Sequence, residues 1–169
     1  MWWLLSSMLL LASSAPLPCR SLEGSKAAVA AFCKAEGKSE LFAFVVRSFG
    51  APVACEARLK GKGDDEEKAL VCRFADGSRY SVDYLPPETG VITVMAMRPF
   101  ADEGAIRQLI SHSGSADIDW KSKPEERTDD DKPGTVSRVY WSPVEGDNTA
   151  GELIYRGDKL VGFSYHYAL

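Results

Sequence analysis

Histidine is almost missing from this chain of 169 residues: only His112 and His166 occur. Acid–base or nucleophilic chemistry built on imidazole therefore has two candidates, and neither sits in a supporting motif. No G-x-S-x-G, H-E-x-x-H or Walker loop is present, so the usual signs of a serine hydrolase, a zinc peptidase or a phosphate cradle are lacking. There are only four cysteines, and no two have the C-x-x-C spacing that zinc or dithiol work would want. Asp64-Asp65-Glu66-Glu67 and Asp129-Asp130-Asp131 lack the interleaved glycine and distal glutamate of a calcium loop and read as solvated loops. No metal and no cofactor is expected. Positive charge is also short, with 20 Lys and Arg against 24 Asp and Glu, so no basic face for nucleic acid is implied.

What is present begins with an apolar segment, Trp2 to Ala15, without a charge. It is too short to span a bilayer as a helix and fits the core of a secretory signal, with Ser13-Ser14-Ala15 as small residues for cleavage. The absence of Lys or Arg before it, and Pro16 after the cut, depart from that pattern. Residues 1–15 are therefore expected to be a signal peptide, and the mature chain to be periplasmic or secreted. Four cysteines in an exported chain imply two disulfides, with three pairings open. Cys55 and Cys72 fall on adjacent predicted strands, which pairs them and leaves Cys19 for Cys33. A lipid-modified Cys19 is the alternative; Pro16-Leu17-Pro18 before it argues against that modification.

Alanine-rich Ser25 to Ala35 reads as a helix with Val29, Phe32 and Cys33 on one stripe, and Gly37 as its stop. Ser39 is a suitable N-cap for a second helix that Gly50 and Pro52 end. A meander of strands follows: Cys55 to Lys60, Ala69 to Phe74, Arg79 to Tyr84 and Val91 to Met97, with Asp76-Gly77 as a hairpin signal. Asp102 caps a third helix, Glu103 to Ser111, with Ile106, Leu109 and Ile110 on one face. Ile118 and Trp120 are expected to start a strand, Lys121 to Gly134 to be a long exposed loop, and Val136 to Trp141 a strand. Glu152 to Arg156 and Leu160 to Ala168 make a last hairpin around Gly157-Asp158, whose turn chemistry also accounts for the Arg156-Gly157-Asp158 tripeptide.

The order of elements repeats: helix, glycine stop, three or four strands, then the same again. Val71-Cys72-Arg73-Phe74-Ala75-Asp76-Gly77 is loosely similar to Leu153-Ile154-Tyr155-Arg156-Gly157-Asp158. The expected fold class is α+β. It comprises two tandem helix–antiparallel-sheet repeats, residues 16–98 with both disulfides and residues 99–169. One continuous sheet with helices on one face is a way of joining them.

This layout resembles the beta-lactamase inhibitory protein family. Phe49-Gly50-Ala51-Pro52-Val53-Ala54-Cys55, with a second Cys across a hairpin at Cys72, is similar to that family's helix-Gly-Cys…Cys unit. Glu152 to Gly162 resembles its final hairpin. Outer-membrane assembly lipoproteins of the BamE type share a single such unit. The second repeat here has no cysteines, where the inhibitor family has a pair, and the contact loop cannot be aligned. The resemblance thus implies the fold and an exported protein-binding role, without the beta-lactamase target.

The feature left for function is aromatic. Trp120, Tyr140, Trp141, Tyr155, Phe163, Tyr165 and Tyr167 crowd the second half. Phe163, Tyr165 and Tyr167 share one side of the last strand. An open sheet surface bearing Trp120, Tyr140, Trp141, Tyr155, Tyr165 and Tyr167 would be a protein-binding face, because Tyr and Trp dominate such hot spots. The competing reading is that these residues fill the core. The expected function is a non-enzymatic inhibitor or immunity protein that sterically blocks a secreted or periplasmic enzyme, the loops Gly61–Lys68 and Lys121–Gly134 helping to cover the site. The alternatives are an envelope scaffold of the BamE type and a small hydrolase using His112 or His166.

Overall fold

The computed structural model describes residues 17, 19–86, 89–114 and 117–168. The expected signal peptide lies outside them. The chain begins with β1 (Cys19–Glu23), α1 (Lys26–Glu36) and α2 (Glu40–Phe49). The meander β2 (Ala54–Lys60), β3 (Glu67–Arg73), β4 (Arg79–Leu85) and β5 (Thr89–Met95) follows. After α3 (Glu103–Ser113) come β6 (Glu125–Thr128), β7 (Thr135–Trp141), β8 (Ala150–Arg156) and β9 (Lys159–Ala168).

Each helix starts where its cap satisfies a free backbone donor. Ser25 accepts from Ala28 N, Ser39 from Phe42 N and Asp102 from Ala105 N, at 3.2, 3.1 and 2.9 Å. Gly50 ends α2 with φ +84°, a conformation that favours glycine. The strands form one sheet of nine, in the order β1-β2-β3-β4-β5-β9-β8-β7-β6. β1 runs parallel to β2 and every other neighbouring pair is antiparallel, so the sheet is mixed. The fold class is therefore α+β with three helices among the described residues.

All three helices pack on the same side of the sheet. Val29 and Cys33 of α1, Leu41, Phe42 and Val45 of α2, and Ile106, Leu109 and Ile110 of α3 join one core with the inward strand residues. One register row shows how it is filled: Cys19, Cys55, Cys72, Tyr80, Val94, Phe163 and Leu153 lie side by side across seven strands. Both disulfides begin on this row. Cys55–Cys72 joins directly opposed residues of β2 and β3, and Cys19–Cys33 ties β1 to α1. These are the pairings expected from the sequence, and they leave no free cysteine.

Three details differ from the sequence reading. β1 adds a strand where none was expected, attached by the disulfide and by parallel pairing. β6 lies inside the segment expected to be a loop. Its four residues, Glu125-Glu126-Arg127-Thr128, are all exposed, so it carries no apolar alternation; charge of this kind also guards a sheet edge. Ile118 and Trp120 form no strand. Trp120 N bonds Ile118 O at 3.0 Å in a tight turn, and the Trp120 ring fills the space over Gly151, where a Cβ would collide with it.

Candidate protein-binding face

Strand alternation gives the sheet two faces, and among the described residues only one is covered by helices. The register defines the other. Its middle row runs Arg20, Glu56, Val71, Ser81, Thr93, Ser164, Glu152, Val139 and Glu125, one residue from each of nine strands. The row on one side holds Arg58, Ala69, Asp83, Val91, His166, Ala150 and Trp141. The row on the other side holds Arg73, Arg79, Met95, Gly162, Ile154, Ser137 and Arg127. Small and β-branched residues occupy the centre, and charges occupy the flanks.

The centre is held by short polar links. Thr93 Oγ1 and Ser164 Oγ are 3.0 Å apart across β5 and β9. His166 Nε2 lies 3.2 Å from Glu152 Oε2 across β9 and β8. Burial pushes the Glu152 carboxyl up, but hydrogen bonds from His166, Ser137 and Ser164 and the charge of His166 outweigh it, so its pKa falls below the ordinary glutamate value. At the β6–β7 edge Trp141 Nε1 donates to Glu125 Oε2 at 3.2 Å, and Arg127 bonds the same carboxylate at 2.9 Å. The Arg127 guanidinium lies 5.8 Å from the Trp141 ring centroid, a cation–π arrangement. Trp141 keeps 40% of its surface exposed. The Glu125 hydrogen bond and the Arg127 guanidinium thus hold the Trp141 ring in one orientation at the rim of the open face.

Of the six aromatic residues expected on an open face, Trp141 alone is on it. Tyr140, Tyr155 and Tyr165 are only 5, 6 and 4% exposed, and their register places them on the helix-covered side. Trp120 and Tyr140 sandwich Arg107 of α3, whose guanidinium is 5.2 and 4.9 Å from their ring centroids. Arg107 also bonds Glu103, and the Tyr155 hydroxyl donates to Glu103 at 2.8 Å. These aromatics fasten α3 to the second half of the sheet. Tyr165 and Tyr167 stack at 5.3 Å on the same covered side, Tyr167 half-buried. The physical reason is volume. Three helices leave space above eight antiparallel strands, and large side chains from the strands must fill it.

The loops expected to frame a partner's site are placed apart. The β2–β3 connection carries Asp64 and Asp65 on a 3-10 turn, and the β6–β7 connection carries Asp129 to Asp131. The antiparallel strand directions put these connections at opposite ends of the strands and at opposite sides of the sheet. The two acidic loops mark diagonal corners of the open face. His112 is exposed in the last turn of α3. His166 lies on the open face; two cavities on the covered side, described below, are lined by neither histidine.

No family model, curated protein or solved structure matches the chain. The described residues contain no group of His, Cys, Asp and Glu fit to hold a metal ion, and no helix long and apolar enough to cross a membrane.

Proposed function

We propose that this chain is an exported protein-binding module of the inhibitor or immunity type, which blocks a secreted or periplasmic enzyme by covering its site with the open sheet face. The observation that carries the reading is the one-sided sheet: nine strands wide, with the three described helices on one side and, among the described residues, no helix on the other, where Ser81, Thr93 and Trp141 reach solvent while Val139, Ala150, Ile154 and Ser164 are buried. Such a surface offers width, shallow relief and fixed polar links, which suit a partner protein better than a small substrate. Trp141 supplies the anchor at one edge, and the acidic corners favour approach of a basic partner surface.

Two further features support it. The paired disulfides fit an oxidising compartment, outside the cytosol. The chain order, helices before β2–β5 and a helix before β6–β9, with β5 and β9 paired at the centre, agrees with a duplicated unit of the beta-lactamase inhibitory protein kind. The scaffold alternative of the BamE type is weakened by the Cys19–Cys33 bond, which occupies the sulfur that a lipid anchor would need.

The reading is tested by affinity capture from secretions and envelope extracts, using the wild-type chain and Ser81→Arg in parallel. Ser81 sits on the middle row of the open face, between Val71 and Thr93. A single stoichiometric enzyme, inhibited on binding and lost with Ser81→Arg, supports the proposal. Outer-membrane assembly components in its place would support the scaffold.

A further inference from the structure

The covered side holds a carboxylate that the fold does not require. Glu36 is the last residue of α1, where the helix dipole is negative and a carboxylate is disfavoured. It is also 8% exposed, pressed between α1 and the sheet. Its partners are the hydroxyls of Tyr80 and Tyr84, which donate to Oε2 and Oε1 across 3.3 Å each. Among the described residues no Lys, Arg or His pairs with it. Burial raises its pKa above the ordinary glutamate value, and the two tyrosine hydrogen bonds only partly offset that. A residue held against burial, dipole and lack of a counter-ion breaks local rules in the way that functional positions do.

Its surroundings supply the purpose. Two cavities of about 800 and about 490 Å³ open on the covered side, and Glu36 and Tyr84 line both. The first runs along α1 past Ala31, Phe32 and Leu59, and the second reaches Tyr165 and Tyr167 beside the end of α3. The aromatic wall is continuous. Phe32 meets Tyr84 at 6.0 Å, Tyr84 meets Tyr167 at 5.9 Å, and Tyr167 stacks on Tyr165. Among the described residues the wall has one cationic side chain, Lys68, which is paired with Glu66 at 3.2 Å. Aromatic rings around an unpaired carboxylate are complementary to an ammonium group carried on an apolar body.

We infer that the groove beside α1 is a binding site for a small organic cation, an amine with an aromatic or aliphatic body, whose ammonium group pairs with Glu36 against the rings of Tyr84, Phe32 and Tyr167. The apolar body lies along Ala31 and Leu59. This site is on the side of the sheet opposite the proposed partner face, so the two stand or fall separately.

The test is calorimetric titration of the disulfide-bonded chain with 2-phenylethylamine and, as its neutral counterpart, 2-phenylethanol. The amine should bind saturably and at least about tenfold more tightly than the alcohol, the scale of a desolvated ion pair with a cation–π contribution. Glu36→Gln should erase that preference. Ala31→Phe, at an exposed position of α1 that lines the first cavity, should abolish amine binding with Glu36 intact. Ser81→Arg should leave it unchanged. Equal affinity for amine and alcohol, no saturable amine binding at millimolar concentration, or full amine affinity in Glu36→Gln or Ala31→Phe would overturn the inference.

Discussion

The two faces of the sheet carry different side chains for different physical reasons. The covered face holds Tyr80, Phe163, Leu153, Tyr155 and Tyr165, large residues that fill the space beneath α1, α2 and α3. The open face holds Ser81, Thr93, Ser164, Ala150 and Gly162 at its centre, with Trp141 and charged residues at its borders. Even the partly buried carboxylates differ. Glu152 on the open face has His166 as a partner and a lowered pKa, whereas Glu36 on the covered face has no cation and a raised one. Large aromatic content thus marks the side that holds the fold together. Fixed polar pairs and small side chains mark the side that carries none of the described helices.

The largest expected effect comes from breaking the covered face. Leu153→Ala, at a fully buried position, should cost about 2–5 kcal/mol in denaturant unfolding, and Tyr165→Ala a similar amount, because the cavity cannot collapse. Next is the Cys55→Ser, Cys72→Ser pair of changes. Removing that bridge releases a 17-residue separation and should cost roughly 3 kcal/mol, read as a lower melting temperature under non-reducing conditions. On the open face the expectation reverses. Trp141→Ala should change stability by less than about 1 kcal/mol yet weaken partner binding by about 2 kcal/mol, the scale of an interface hot spot. A Trp141→Ala protein that unfolds would erase the distinction between the faces.

The smallest effects should separate the two carboxylates. Because the folded pKa of Glu36 is raised above 4.5, its contribution to stability is present below that value and is lost as pH rises through the folded pKa. Glu36→Gln should therefore stabilise the chain at neutral pH, by on the order of 1 kcal/mol, and flatten the fall that sets in as pH rises above 4.5. Glu152 behaves in the opposite sense. Its folded pKa is lowered, so its contribution is present above 4.5 and lost as pH falls through the folded value. Glu152→Gln should flatten the acid side. Stability curves from pH 2 to 8 for both variants check the signs, with the acid limb read near the ordinary carboxylate range.

Much of the architecture was legible in the sequence. Ser39 and Asp102 announced their helices, Asp76-Gly77 and Gly157-Asp158 their hairpins, and the strand positions of Cys55 and Cys72 their bridge. β1 and β6 were not legible, because an edge strand needs no apolar alternation and its pairing is supplied by a neighbour. The aromatic residues exposed a deeper limit. Alternation shows that Phe163, Tyr165 and Tyr167 share a face, but helix placement decides which face is covered. Trp141 escaped burial because it is one residue out of phase with Tyr140. Glu36 went unnoticed, although an acidic residue in the last turn of a helix, directly before its glycine stop, was a visible departure from the dipole rule.

The most direct test of the open face is a binding comparison on one captured partner, with wild type, Ser81→Arg and a covered-side control, Ala31→Phe, each shown to be folded. The account predicts that Ser81→Arg loses at least about tenfold in affinity and no longer inhibits the partner, while Ala31→Phe binds it as wild type does. Undiminished binding by Ser81→Arg, with loss in Ala31→Phe, would place the partner on the helical side and contradict the account.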